Sequence, residues 1–264
     1  MAENSNSCYL AQRYLAACAV ARNAGKLALR YFEDISQLNV EIKEQQDVKS
    51  TGDRKVEEFI VTNLAKSFPD DDFLAEERGG VVGSKLWVID PIDGTANFVR
   101  SIPFFCISIA YLFEGEVEIG VIYDPIADEL FAARRGFGAT CNGKAIRVSD
   151  CQDIAKAIVG CDLGYGTSVE DSIRITKQLL EVQCHPRCFG AGALGIAHVA
   201  DGRFDGYWNL HHYPWDALAG WLLVREAGGW VSNFLAGEGL SQGNSILVCT
   251  PAIKNYLIAA TGIT

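Results

Sequence analysis

An excess of positive charge is the first thing this chain lacks. Its 23 lysines and arginines face 33 aspartates and glutamates, for a formal net charge of −10. Duplex nucleic acid needs a basic surface, so nucleic acid is not expected as a main partner. Long apolar runs are missing too. The longest, Ile102 to Phe113, is interrupted by Pro103 and Ser108 and is too short to cross a bilayer. Met1 to Tyr9 lacks the basic-then-apolar profile of an export signal. There are no internal repeats and no low-complexity stretches. The nine cysteines are an odd number scattered along the chain, which reads as reduced thiols, several buried as small hydrophobes. Cys184 and Cys188 flank His185, but no second Cys/His pair stands at a zinc-binding spacing. A cytoplasmic protein without a membrane partner is the expectation.

What is present suffices for a full core: 264 residues make one large domain or two small ones. Leu10, Tyr14, Ala17, Ala21, Ala24 and Ala28 recur on a helical period and predict a helix over 8–32. Leu38, Val40 and Ile42 alternate like a strand, and Lys43 to Gly52 reads as a loop. Val56 to Leu64 returns to helical spacing until Phe68-Pro69 ends it. From 73 to 133 the pattern is mostly β, with strands at 73–75, 86–89, 105–113, 117–123 and 129–133 and turn signals at Glu114-Gly115 and Asn142-Gly143. The second half predicts strands at 157–161, 203–208 and 246–249. Its helices fall at 169–182, 192–200, 216–227 (stopped by Gly228-Gly229) and from Ala252 onward. Such alternation implies layered sheets covered by helices. The best dividing line, at 148–155, separates a part at 1–150 from a part at 151–264.

Carboxylates carry the chemistry. The apolar run Leu86 to Ile89 drives into Asp90, Asp93 follows three residues later, and Gly94 and Thr95 open a helix. Pro91 biases Asp90 towards extended geometry, so the strand is expected to stop there. A turn needs one Asp and a Gly, not a second Asp behind an apolar strand, so two carboxylates beside free N–H groups suggest metal ions meeting a phosphate. Asp53 in Ser50-Thr-Gly-Asp53, Glu76 after Phe73-Leu-Ala75, and Asp216 after Pro214-Trp215 are further candidates. For Asp53 and Asp216 a helix N-cap is an equal alternative, and Glu76-Glu77-Arg78 alone reads as a solvated loop. Clustered carboxylates repel and raise one another's pKa. Bound Mg²⁺ relieves that repulsion, and in an acidic protein it is the most direct source of positive charge for a phosphate.

Trp87–Phe98, Phe73-Leu-Ala-Glu-Glu77, Pro214-Trp-Asp-Ala-Leu-Ala-Gly220 and Glu226-Ala-Gly-Gly229 resemble the signatures of the inositol monophosphatase family, and the likeness runs nearly end to end. That resemblance implies an α/β fold, a layered α-β-α-β-α sandwich of the inositol monophosphatase and fructose-1,6-bisphosphatase type, and a homodimer. It implies two or three Mg²⁺ per site, one held by Glu76, Asp90 and the Ile92 carbonyl, a second by Asp90, Asp93 and Asp216, and a weaker third near Glu76. By the same resemblance Thr95 and Asp53, with Glu76, activate water. The N–H groups of Gly94 and Thr95 cradle the phosphate, Lys43 approaches from its loop, and Asp93, Gly192, Asn209 and Asp216 line the substrate.

The chain departs from the pattern in places. Ala75 stands where the family has Gly, and Lys49-Ser50 where it has Val-Thr, without loss of a metal ligand. Gly190-Ala191-Gly192 replaces Gly-Ser/Thr-Ala, removing a hydroxyl. Asn209 replaces a Glu that accepts hydrogen bonds from ring hydroxyls, which is expected to weaken recognition of the alcohol by about 1–2 kcal/mol. His211 and His212 read as a surface loop or as the rim of the pocket. The expected function is a Mg²⁺-dependent phosphomonoesterase for a small polyol monophosphate, inositol 1-phosphate first, by attack of metal-activated water. A histidinol-phosphate or sugar-phosphate phosphatase, and a regulatory binding protein retaining the fold, are the alternatives. A bisphosphate nucleotide phosphatase would need a base-binding pocket, and no sequence signal locates one.

Overall fold

The computed structural model describes the backbone of residues 2–35, 38, 40–44, 47–163 and 168–264, and the side chains of 9–35, 38, 50–163 and 168–264. Helix α1 spans Ala2–Glu33 and α2 Thr51–Ser67, on either side of a hairpin of β1 (Val40–Glu44) and β2 (Asp47–Ser50). The loop expected over 43–52 is therefore largely strand, with Ile42 paired opposite Val48. A polar four-residue strand with one apolar position carries no readable period.

The main sheet comprises β3 (Asp72–Ala75), β4 (Gly79–Gly80), β5 (Lys85–Asp93), β6 (Cys106–Phe113), β7 (Glu116–Asp124), β8 (Glu129–Arg134), β9 (Ala139–Cys141) and β10 (Lys144–Ile146). A one-turn helix, α3 (Thr95–Phe98), follows β5. The strand order is β10-β9-β8-β7-β6-β5-β3-β4, antiparallel except for β3 beside β5. The remaining chain supplies β11 (Val159–Cys161), α4 (Val169–Glu181), α5 (Gly192–Ala200), β12 (Gly206–His212), α6 (Pro214–Glu226), β13 (Trp230–Val231), α7 (Gly239–Gln242), β14 (Asn244–Cys249) and α8 (Lys254–Thr261). Its sheet is ordered β11-β12-β14-β13. The strands and helices that the sequence pattern omitted (β4, β9, β10, β13, α7) have two to four residues, too few to show periodicity.

Alternation along the strands explains the layers. Trp87 and Ile89 face one side of the main sheet and pack with Ala17, Ala21, Ala24 and Ala28 of α1 and Val56, Ile60 and Leu64 of α2. Leu86 and Val88 face the other side and join Leu194 of α5, Leu218 and Leu222 of α6, and Tyr207, Ile246 and Val248 of the second sheet. Trp208 and Leu247, one residue out of step, turn outward onto Ile175 and Leu179 of α4 and Leu257 of α8. Side chains of successive strand residues point to opposite faces, so each sheet buries both. The result is the expected α-β-α-β-α sandwich. The two sheets draw their strands from opposite sides of residues 148–155, and the middle apolar layer is common to both.

One buried ion pair fastens α1 to this frame. The Arg13 guanidinium donates to both oxygens of Asp71, at 2.9 and 2.8 Å, and lies 3.4 Å from the centre of the Tyr9 ring. Trp87 Nε1 donates to Asp71 Oδ2 at 2.9 Å, so the carboxylate has three charge-assisted or polar bonds in place of water.

Two irregularities prepare the site. Pro91 does not stop β5. The strand runs on to Asp93, with Asp90 paired to Ser108 and Asp93 to Cys106, so three residues of β5 span two of β6. On β12, Asn209 pairs with Ile246 and His212 with Asn244, again three against two. Each is a β-bulge, which adds one residue and re-aims the side chains beyond it. Proline, which has no N–H to give a ladder, is at home in such a bulge.

Candidate active site

Asp90 and Asp93 are three apart and would face opposite sides of a regular strand. The bulge turns both towards the N-terminus of α6. One oxygen from each of Asp90, Asp93 and Asp216 lies within 4.8 Å of the other two. Asp90 Oδ1 accepts the N–H of Ile92 at 2.9 Å, folding the carboxylate over its own proline turn. Asp93 does more. Its Oδ1 accepts the N–H of Gly192 at 3.2 Å, and its Oδ2 those of Ala193 at 2.8 Å and Leu194 at 3.3 Å. It therefore caps α5 from a hundred residues away, at the helix end that favours an anion.

Neither Asp53 nor Asp216 is an N-cap. Ser50 caps α2 with its hydroxyl, Tyr213 holds the N-cap position of α6 without a side-chain bond, and each aspartate sits at the third helical position, reaching back to the cap residue. Asp53 Oδ2 accepts the Ser50 N–H at 2.9 Å, and Asp216 Oδ2 accepts the Tyr213 N–H at 3.2 Å. This capping-box geometry spends one oxygen on the backbone and leaves the other free. The free oxygen of Asp53 accepts the Thr95 hydroxyl, Oγ1 to Oδ1 3.0 Å. Thr95 Oγ1 is also 3.0 Å from the Ile92 carbonyl oxygen, so its single proton has two acceptors to choose between.

Burial and like charge set the electrostatics. Asp90 is pushed well above the ordinary carboxylate range by burial, then by the charges of Glu76, Asp93 and Asp216. Asp93 rises to about 7 through burial and the charges of Asp216 and Asp162, with His212 opposing. Burial also raises Asp53, against the hydrogen bonds from Ser50 and Thr95. Glu76 acts on Asp90 from the end of β3, where its N–H donates to the Ile89 carbonyl at 3.1 Å. A cluster of this kind is short of positive charge. Carboxylate and carbonyl oxygens suit a hard cation such as Mg²⁺, and burial keeps the adjacent Cys106 thiol far above its ordinary pKa, so no thiolate ligand competes.

Gly94 adopts φ +92° between the strand and α3, and a Cβ there would stand 3.0 Å from Ala191 Cβ and 3.1 Å from the Phe104 carbonyl oxygen. Glycine is thus the residue this turn accepts. As cap and first residue of a helical turn, Gly94 and Thr95 have N–H groups that no helical carbonyl can take.

Beside the carboxylate cluster lies a network that sequence reasoning missed. Tyr207 Oη contacts Asp162 Oδ2 at 2.8 Å and His212 Nε2 at 2.8 Å, and His212 Nδ1 is 3.3 Å from Asp216 Oδ2. These contacts close when both ring nitrogens carry protons: His212 donates to Tyr207 and Asp216, and Tyr207 donates to Asp162. Burial disfavours that charge, but Asp216, Asp162 and Asp93 outweigh it and raise the imidazole's pKa. His212 is therefore buried on β12, not in a surface loop. Asn209 is also buried. Its Oδ1 accepts the His211 N–H at 3.1 Å, and its Nδ2 lies 3.5 Å from His212 Nε2. Gly192 explains how the ring fits, because a Cβ there would stand 2.4 Å from His212 Cε1. Where the family pattern has alanine, this chain has glycine and an imidazole in the vacated space. Lys43 lies on β1 with its side chain outside the described residues.

Five layers of helix and sheet around a carboxylate trio, with a hydroxyl–carboxylate pair beside it, define an α/β protein with a cluster of acidic oxygens of the kind that suits hard cations. The chain belongs to the inositol monophosphatase family, whose model matches residues 10–262. It is 38% identical over 246 residues to the inositol-1-monophosphatase of Mesorhizobium japonicum, covering 91% of this chain and 92% of that protein. It is 37% identical over 251 residues to the Nus factor SuhB of Pseudomonas aeruginosa, covering 91% and 93%. The crystal structure of the extragenic suppressor protein SuhB from Bartonella henselae superposes with a TM-score of 0.88 at 34% identity, covering 93% of this chain and 96% of that one. Among the described residues, no helix is long and apolar enough to cross a membrane.

Proposed function

We propose that this protein is a Mg²⁺-dependent phosphomonoesterase acting on a small polyol monophosphate, inositol 1-phosphate first. The observation that carries the reading is the Thr95–Asp53 hydrogen bond beside the Asp90, Asp93 and Asp216 cluster. Asp90, Asp93 and Asp216, with Glu76 and the Ile92 carbonyl, would hold two or three Mg²⁺. When bound, Mg²⁺ supplies positive charge that polarises the phosphoryl group and eases the deprotonation of water.

The chain's own residues do the rest. Thr95 Oγ1 orients the attacking water, accepting its proton as its own passes to Asp53 Oδ1. Burial makes Asp53 the better proton acceptor, since a raised pKa brings a carboxylate closer to the working pH. The N–H groups of Gly94 and Thr95 hold phosphate oxygens. Asp93 is kept in place by the α5 N–H groups, and Asp216 by Tyr213 and His212. Lys43 would approach the site from its strand once metal is bound. Asp93, Gly192, Asn209 and Asp216 line the alcohol side, where the Asn209 amide already serves His211 and is less free to accept from a ring hydroxyl. A histidinol phosphate or a sugar phosphate therefore stands close behind inositol 1-phosphate. A panel of monophosphates with wild type and Asn209→Glu tests the assignment: the swap is expected to shift preference towards inositol 1-phosphate, and an unchanged ranking overturns Asn209 as a selector.

The same proposal includes a homodimer in the cytoplasm, with parts at 1–150 and 151–264 that share the site. Sedimentation and cell fractionation test the first two points. A second reading, a regulatory binding protein that keeps this fold, draws on the Pseudomonas relative's name, Nus factor. Calorimetric titration with Mg²⁺ alongside turnover separates the two, because metal binding without phosphate release favours the second.

A further inference from the structure

Two sulfurs that the proposed chemistry does not use lie 3.1 Å apart: Cys161 Sγ at the end of β11 and Cys188 Sγ in the segment before α5. The backbone holds them there. Gly160 and Arg187 form a parallel bridge, Arg187 N–H donates to the Val159 carbonyl at 2.9 Å, and Cys161 N–H donates to the Arg187 carbonyl at 2.8 Å. Cys161 is buried and Cys188 is exposed. One thiol of the pair meets solvent, and the other stands directly behind it.

The segment that begins at Cys188 runs straight into the site. Asn97 Nδ2 donates to the Phe189 carbonyl at 2.7 Å, and the Phe189 ring stacks on Phe104 with centroids 4.8 Å apart. Gly190 N–H donates to Asp162 Oδ1 at 3.0 Å, and Gly192 N–H to Asp93 Oδ1 at 3.2 Å. Within four residues of Cys188 the backbone touches two carboxylates of the site.

We propose that Cys161 and Cys188 are a reversible disulfide site, oxidised by small disulfides, whose closure clamps the Cys188–Gly192 segment against β11. A disulfide bond is about 2.05 Å long, so the sulfurs need to approach by only about 1 Å. The exposed Cys188 thiolate attacks one sulfur of a small disulfide, forming a mixed disulfide and expelling the other half as a thiolate. The Cys161 thiolate then attacks the Cys188 sulfur, forming the protein disulfide and expelling the second half. The protons of the two cysteine thiols end on the two departing thiols, two electrons pass from the protein to the small disulfide, and excess thiol reverses both steps. The contact itself assists the first attack, because the hydrogen bond from Cys161 lowers the pKa of the Cys188 thiol. The same bond and burial raise that of Cys161, and the bond's share of that rise ends once Cys188 is in the mixed disulfide.

The effect on the active site rests on the phosphatase reading, but the disulfide does not, so the test reads thiols and masses. Native wild-type protein is incubated with oxidised glutathione, trapped with N-ethylmaleimide and digested for peptide mapping, with amide hydrogen exchange followed in parallel. The expected result is a peptide linked through Cys161 and Cys188, formed before any other cross-link, abolished by dithiothreitol and absent from Cys188→Ser. Exchange at Phe189–Gly192 slows in the oxidised form. Recovery of Cys188 only as a glutathione adduct or an alkylated thiol overturns the proposal, as does linkage that appears only after the protein is denatured.

Discussion

Asp93 Oδ2 accepts the backbone N–H of Ala193 at 2.8 Å, joining the bulge of β5 to the first turn of α5. One carboxylate thus caps a helix and faces two others. The two tasks respond differently to substitution. Asp93→Asn keeps one oxygen for the Ala193 and Leu194 N–H groups, gives up the Gly192 bond and removes a repelling charge, so the metal-free variant is expected to stay close to wild type in stability while losing turnover. Asp93→Ala loses the cap as well and is expected to be about 1–2 kcal/mol less stable than Asp93→Asn. Urea denaturation of both variants in EDTA checks the order.

The raised carboxylates couple metal to pH. Asp93 titrates at about 7 in the folded protein against 3.8 ordinarily. The folded state therefore holds a proton that the unfolded state has released, and this contribution to stability is present below pH 4 and lost as pH rises through about 7. Metal-free protein is expected to lose stability from this group as pH rises from about 4 to about 8. Mg²⁺, which binds the ionised carboxylates, is expected to bind more tightly across the same rise and to offset the loss. Thermal melts over this range, with EDTA and with Mg²⁺, check both trends. Convergence of the two curves at high pH would contradict them.

Much of this was legible in the residues, and the rest was hidden for identifiable reasons. The run from Leu86 into Asp90 and Asp93 announced a strand delivering carboxylates, and the alternation of strands and helices announced layered sheets. The five-layer order came with the family resemblance, and β5 fits it by burying Leu86 and Val88 on one face and Trp87 and Ile89 on the other. The bulges were not legible. Tyr207 and His212 are five apart on β12 and would face opposite sides of a regular strand, yet their rings stack at 5.7 Å, because the irregularity after Asn209 turns His212 back. For the same reason Asp162, Tyr207 and His212 escaped notice as a group. Their one trace in the sequence was Gly192 where the family pattern has alanine.

That trace has a test. A Cβ on Gly192 meets the His212 ring and comes within 2.9 Å of Tyr207 Oη. Gly192→Ala is expected to cost about 1–3 kcal/mol by overpacking and to displace the imidazole from Asp216. His212→Ala removes that clash but leaves Asp216 with only the Tyr213 N–H to hold it, lowering Mg²⁺ affinity about 10–100-fold. In the double variant the stability loss is expected to fall short of the sum, which a denaturation cycle measures. Additive losses would mean that the two side chains do not share the space.

The frame has its own weak point in the buried Arg13–Asp71 pair. Asp71→Ala strands a guanidinium among Tyr9, Phe68 and Tyr111 and leaves Trp87 Nε1 without its acceptor. A loss of about 3–5 kcal/mol is expected, since breaking one half of a buried pair leaves an uncompensated charge. Equilibrium denaturation at pH 7 is the check, and a change under 1 kcal/mol would show that α1 is held by its apolar face alone.

The most direct measurement of the central claim is phosphate release from inositol 1-phosphate and a wider monophosphate panel, by wild type and Asp90→Asn, with and without Mg²⁺. Removing a carboxylate shared by the cluster is expected to take several kcal/mol from the transition state, a fall of about a hundredfold or more. The account predicts release that requires Mg²⁺ in wild type and collapses in Asp90→Asn. Release undiminished in Asp90→Asn, or none from any monophosphate by wild type with Mg²⁺, would contradict it.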